Sequence, residues 1–504
     1  MNITKEKGML GRLLSLSVCV TLLLPLASEG WNTAWAEPSK TPPEQRVLRI
    51  GSLWSGEDDT YYRQQFTDLY EFQHPEIKLE LVPATESNEL RFSSTYPEVN
   101  TNNLENIRRI MSGTAPVDVI IADSALLKSL AENNLVLPLQ PFIDRDQYDI
   151  STMAPTMLEG IRDLGGGNLF ALAPTFSSSA LFYNKKIFDA ANVPYPTNGM
   201  TWDEMFALAA KVTKVSKTKE KRVYGFSISR YLGDPFWDMQ TQIAPLKLTP
   251  YDIKGEKMTV NTTQWSKLWT TYSGLVKNQT VPGLDNQEYI WTEGKPYNPV
   301  EGDMFLNSKT AMVVGEYGYI NELATVQRNA SKIKNYKPVD WGVVTVPSFV
   351  EKPGVAVGTY LGNMMAIGNT ARNPEDAWDF IKFVNSKEVA KIKAHNRYEL
   401  TSRKEYITSP APNVNLEPFY TVKPLAPNDP QMDRLLTDKP AISQINDVGR
   451  KLFVEVYQGK RTVQNALKAW EKQGNTILLK LKKDPKATFN METGWLQNSA
   501  VKSD

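Results

Sequence analysis

Two histidines, His74 and His395, and a single cysteine, Cys19, set the limits on what this chain can do chemically. With so few histidines, neither a serine–histidine triad nor a histidine-rich metal site is expected. There is no G-x-G-x-x-G, no Walker loop and no H-E-x-x-H, and Gly165-Gly-Gly167 lacks the Lys-Ser or Lys-Thr that a phosphate cradle needs. No Asp-x-Asp-x-Asp-Gly loop argues for calcium. No metal and no cofactor are expected. Carboxylates remain, among them Glu57, Asp58, Asp59 and Glu316. Two of them would suffice for a secreted carbohydrate hydrolase. The same groups would serve equally to grip hydroxyls without breaking a bond. Asp58 and Asp59 also suit the positive end of a helix that follows them.

The elements around these residues have a regular order. Val47 to Ile50 reads as a strand, followed by the loop from Trp54 to Asp59 and a helix carrying Tyr62, Phe66 and Leu69 at helical spacing. His74-Pro75 stops that helix, and Ile77, Leu79 and Leu81 alternate with Lys78 and Glu80 as a half-wet strand does. A second helix runs through Leu104, Ile107 and Met111, and Val117 to Ile121 has the continuous apolar run of a buried parallel strand. Strand, helix, strand, helix, strand predicts a parallel sheet with helices packed on it. Leu169 to Ala173 and Ala180 to Tyr183 are further strands, and the small residues Ser177, Ser178 and Ser179 between them predict a crossing between two domains. Thr201 and Glu204 form a capping box, with Met200 and Met205 as its staple. Asn373-Pro374 and Thr462 open two more helices. Ligand loops in open α/β sheets gather beyond the carboxyl ends of strands. That rule selects Trp54 to Asp59, including Glu57, then Asp123 and Ser124, and Thr175 to Ser178.

Lys5, Lys7 and Arg12 precede an apolar run from Leu13 to Ala27 and a small-x-small site at Ala34-Trp35-Ala36. This predicts a secretory signal peptide over residues 1–36, with an uncleaved anchor as the alternative. Cys19 lies inside it, so the exported chain would hold no disulfide and no thiolate site. From totals of 57 basic and 56 acidic residues, removal of the leader takes three and two and leaves equal numbers. A neutral chain is not expected to bind nucleic acid or an anionic membrane surface. Its length suits two substantial cores.

Several blocks carry a resemblance to a known family. They are Pro116-Val-Asp-Val-Ile-Ile-Ala-Asp123, Leu181-Phe-Tyr-Asn-Lys-Lys-Ile-Phe-Asp189 through Trp202, and Phe305 to Tyr317. Trp341 to Pro347, Gly358 to Asn363, Asn373 to Trp378 and Gln458 to Val463 follow in the family's order. Together they resemble the extracellular solute-binding receptors of ABC importers, in particular the sugar-binding branch. The resemblance spans about Arg46 to Leu478. It implies an α/β, two-lobe periplasmic-binding-protein-like fold, each lobe a sheet flanked by helices, with hinge crossings between lobes. Residues 46–177 with 365–408 would form one lobe, 182–362 with 411–490 the other, and 491–504 a tail. It implies a monomer that takes a sugar or oligosaccharide in the inter-lobe cleft, closes on it, and hands it to ABC permease transmembrane subunits. A receptor that feeds a sensor kinase would bind in the same way.

By resemblance, ligand contacts extend to Asp234 and Trp237, Glu316 and Tyr317, Tyr360 and Asn363, and Asn446. Trp237 and Tyr317 are the expected aromatic platforms for a sugar's apolar face, and Asp123 and Glu316 the expected hydroxyl acceptors. Ser177 falls where some family members carry a carboxylate, and Asn446 where some carry an aromatic ring. Both departures count against a maltose-like ligand.

Overall fold

A computed structural model describes residues 45–55, 59–86, 102–218, 221–231, 233–284 and 298–487. The expected signal peptide, Glu57 and Asp58, and the expected tail lie outside these residues.

The first strand, β1 (Arg46–Ser55), pairs in parallel with β2 (Ile77–Glu86) and with β3 (Val119–Ala122). All four residues of β3 are buried, as the apolar run predicts for a strand covered on both faces. The helical stretch between β1 and β2 covers Thr60 to Gln73, with a π-helical segment at Arg63–Thr67. It ends at His74, before Pro75, because proline cannot continue the ladder. Two later strands, β4 (Ala171–Leu172) and β9 (Met364–Ile367), complete a five-stranded sheet in the order β2-β1-β3-β9-β4. Here the expectation of a parallel sheet needs qualification. Strand β9 runs antiparallel to both β3 and β4, and the chain reaches it only after building the second sheet.

The second sheet is small and antiparallel among the described residues. Strand β6 (Ser179–Asn184) lies between β7 (Met312–Glu316) and β8 (Trp341–Val344). Successive residues of β6 face opposite ways, and the core divides there. Phe182 joins a cluster that continues to the five-stranded sheet, with Phe305, Tyr319 and Phe419 beside it. Leu181 joins a second cluster of helices, in which Trp265, Trp269 and Trp470 pack with Phe236 and Phe453. The helix Trp202–Val212 starts with both halves of its capping box in place, Thr201 accepting from the Glu204 N–H and Glu204 from the Thr201 N–H.

The chain leaves the first sheet for the second just before β6, returns just before β9, and beyond Thr401 runs on to the helices of the second cluster. The first pass is β5 (Thr175–Phe176) with Ser177 and Ser178, and it pairs antiparallel with β10 (Leu400–Thr401) on one side. On its other side Ser177 and Tyr360 exchange both backbone hydrogen bonds, at 3.2 and 2.9 Å. Ser178 Oγ meets Thr359 Oγ1 at 3.1 Å, and Ser179 Oγ donates to the Gly358 carbonyl at 3.0 Å. Gly358 has φ +76°, and a Cβ there would lie 2.5 Å from Ser179 Oγ. Only glycine fits that approach. The serines expected to mark a crossing are each tied by hydrogen bonds to the segment from Gly358 to Tyr360.

Candidate functional site

The site is best built outward from these crossings. Register places Leu400 opposite Phe176 and Thr401 opposite Thr175. Next to them lies an open cavity of about 150 Å³, lined by Thr175, Ser177, Tyr360, Gly362, Asn363 and Glu399 among others. Three expected residues, Ser177, Tyr360 and Asn363, therefore share one wall. Tyr360 is 58 % exposed, its ring free while its backbone is fixed to Ser177. Asn363 has φ +50°, a left-handed turn that asparagine tolerates, just before β9 begins. Ser124 joins from the side, its hydroxyl donating to the Leu361 carbonyl at 3.2 Å. Glu316 is exposed at the end of β7, opposite Ser179.

A second group lies at the carboxyl ends of the parallel strands. Trp54 and Asp123 each stand two residues beyond the paired Ser52 and Ile121, so the two strand ends bring them level. Asp123 caps the helix Ser124–Glu132, accepting from the Leu126 N–H at 2.8 Å, and remains exposed. Asp59 is held by Arg63 Nε at 2.7 Å, and Arg63 also reaches Glu71 at 3.2 Å.

A third group sits where the helices Pro235–Ile243 and Gln444–Tyr457 meet. Asp234 caps the helix Pro235–Ile243 by accepting from the Phe236 N–H at 2.9 Å, and its other oxygen meets the Arg450 guanidinium. Asn446 lies one turn before Arg450 on the helix Gln444–Tyr457, so it is carried on the same face. Trp237 is 42 % exposed, its ring set edge-on to Phe236 at 5.2 Å. Trp202, Trp265, Trp269, Trp378 and Trp470 are each at most 2 % exposed. Trp237 thus stands apart from the tryptophans that fill the core. Burial, and then the Asp234 carboxylate, push the neighbouring Asp238 carboxyl up to about 7.

One expected platform is differently placed. Tyr317 is 2 % exposed, edge-on to Phe419, and its hydroxyl donates to the Thr408 carbonyl at 2.7 Å. It packs beneath the crossings and does not present a face. The acids Asp234 and Asp59 are likewise engaged by arginines. Two residues were missed by sequence reasoning. Glu399 lines the cavity although nothing in its local spacing marks it. Tyr231 is 47 % exposed just before the Asp234 helix, with the Arg230 guanidinium 4.9 Å from its ring centre. An aromatic next to an arginine, close to Asp234-Pro235, was the available signal. Among the described residues no cluster of three or more His, Cys, Asp or Glu could hold a metal ion.

A two-lobed frame with polar and aromatic side chains gathered at its crossings defines a class of ligand receptors. Residues 54–391 match the family of bacterial extracellular solute-binding proteins, and the chain belongs to that family. Among solved structures, an extracellular solute-binding protein family 1 member from Alicyclobacillus acidocaldarius superposes with a TM-score of 0.55 at 15 % identity, covering 86 % of this chain and 98 % of that one. A sugar transporter from Rhizobium etli, in an open conformation, gives 0.50 at 22 % identity, over 85 % and 99 %. A binding protein of Brucella abortus is 20 % identical over 395 residues, 75 % of this chain and 83 % of its own. The structural neighbours share the two-lobe fold, and the family is one of binding proteins.

Proposed function

We propose that this protein is the sugar receptor of an ABC importer. It captures a neutral mono- or oligosaccharide between its lobes and delivers it, chemically unchanged, to permease transmembrane subunits. The observation that carries the reading is the wall at the crossings, where exposed Tyr360 stands beside Ser177, Asn363 and Glu399 over an open cavity. A pyranose offers an apolar C–H face and an edge of paired hydroxyls, and this wall offers a ring and an edge of acceptors. Aromatic rings supply contact area at small entropic cost, and hydrogen bonds to charged acceptors contribute ~1.5–3 kcal/mol each. The sugar transporter of similar fold supports the same ligand class. We place the lobe boundaries at the crossings, with residues 46–177 and 365–408 in one lobe and 182–362 and 411–490 in the other.

The ligand acts by stabilising a closed arrangement of lobes, and shifts the population toward it. The protein works as an exported monomer after cleavage behind Ala36, so its mature N-terminus is Glu37, which N-terminal sequencing of the secreted protein would read. The test of function is a thermal-shift screen with mono- and oligosaccharides, followed by chromatography of the recovered sugar. Stabilisation by a sugar recovered intact is the expected result. Hydrolysis of the sugar, or stabilisation by none, would overturn the reading.

A further inference from the structure

We propose that Glu399, just before β10, is the principal hydroxyl acceptor of the site, in place of a residue of the first crossing. The assignment rests on the sugar-receptor reading and narrows it to ligands that present a vicinal diol. It starts from the register of the crossings. Strands β5 and β10 pair Thr401 with Thr175 and Leu400 with Phe176, so one further step sets Glu399 opposite Ser177. On the other side of Ser177 stands Tyr360. Residues directly opposite one another across strands share a face. An acid, a small hydroxyl and an aromatic ring therefore form one row across three adjacent segments of the chain, and all three line the same cavity.

The carboxylate is oriented. Thr175 Oγ1 donates to Glu399 Oε2 at 2.9 Å, and Asn396 Oδ1 accepts from the Glu399 backbone N–H at 3.3 Å. Fixing one carboxylate oxygen from a strand leaves the other edge to accept hydrogen bonds from a ligand's hydroxyls. Two neighbouring hydroxyls match a carboxylate's spacing, as a guanidinium fork does.

The position is also linked to the first helical stretch. Glu399 lies near enough to Lys393 to act on its ammonium. Lys393 Nζ donates to Gln65 Oε1 at 2.8 Å and lies 5.4 Å from the centre of the Phe66 ring. Gln65 and Phe66 belong to the helical stretch that follows the β1 loop, whose end carries Trp54 and Asp59. The acid thus connects the cavity wall, through Lys393, to the helical stretch that follows β1. Ser177 is too short to grip a hydroxyl pair from the first crossing, and Glu399 supplies the missing charge from next to it.

The test uses titration calorimetry of the full exported chain with maltose, sucrose, trehalose and cellobiose. Glu399→Gln keeps the shape and still accepts from Thr175, so the melting temperature should hold while affinity for the bound disaccharide falls about tenfold. Glu399→Asp is the second variant, should the first fold poorly. It keeps the charge but withdraws it by one methylene, and is also expected to bind more weakly. Unaltered affinity in either folded variant overturns this assignment alone. Failure of the wild-type chain to bind these four and every sugar of the mono- and oligosaccharide screen overturns the receptor reading and the assignment together.

Discussion

Replacing Tyr360 by alanine isolates the contribution of the ring at the crossing wall. The backbone exchange with Ser177 uses only main-chain atoms, so alanine retains both hydrogen bonds. A tyrosine side chain presents roughly 200 Å². With 58 % of the residue exposed, about 115 Å² is open to water on this scale. A sugar laid on one of the ring's two faces would cover about half of that, ~60 Å². At ~25 cal/mol per Å² this is ~1.5 kcal/mol, or about a tenfold loss of affinity. The buried part of the ring is smaller, so the melting temperature should fall by only a few degrees. Calorimetry with the disaccharide that most stabilises the wild type reads the first quantity, and a thermal melt of the free protein reads the second. A folded Tyr360→Ala chain with wild-type affinity would refute the reasoning, because the exposed ring would then face away from the bound sugar.

Arg403 and Asp238 give two further expectations that need no ligand. Arg403 is 2 % exposed and donates to the carbonyls of Asn385 and Asp149, to Thr152 Oγ1 and to Tyr148 OH, at 2.8 to 3.0 Å. Arg403→Met should cost about 3 kcal/mol or more in urea unfolding, since it removes four hydrogen bonds made by a buried charged group, and a loss under about 1 kcal/mol would show that the guanidinium does not pin the segment that follows β10. The Asp238 carboxyl is raised from 3.8 to about 7, so the folded chain keeps a proton that the unfolded chain releases. Its contribution therefore declines as pH climbs from about 4 to about 7 and is level above that. Asp238→Asn should be little different from wild type near pH 4 and more stable by up to ~4 kcal/mol at pH 8. An equal difference at both pH values would contradict the burial argument.

The sequence reads most clearly where local chemistry is complete. The Thr201 capping box, the Pro374 helix start and the Thr462 cap all form as expected, because each depends on residues within one turn. Strand β3 was legible because burial on both faces forces an unbroken apolar run. The antiparallel course of β9 was not, since direction depends on where the chain last left the sheet, and no residue encodes that. The same reason hides Glu399. Its partners Thr175 and Ser177 lie more than two hundred residues away, and only strand register brings them together. Tyr317 shows the converse. Its block resembles a ligand-bearing strand, yet two residues decide its burial, Phe419 beside the ring and Thr408 accepting from its hydroxyl. Asp234 and Asp59 were visible as acids, but the arginines that hold them, Arg450 and Arg63, were visible only in three dimensions or as a helical i,i+4 pair.

Small-angle X-ray scattering of the purified chain, with and without a saturating disaccharide, tests capture between lobes most directly. A smaller radius of gyration with sugar, returning to the starting value once dialysis recovers the sugar intact, is the result this account requires. An unchanged radius at proven saturation, or a cleaved sugar in the dialysate, would contradict it.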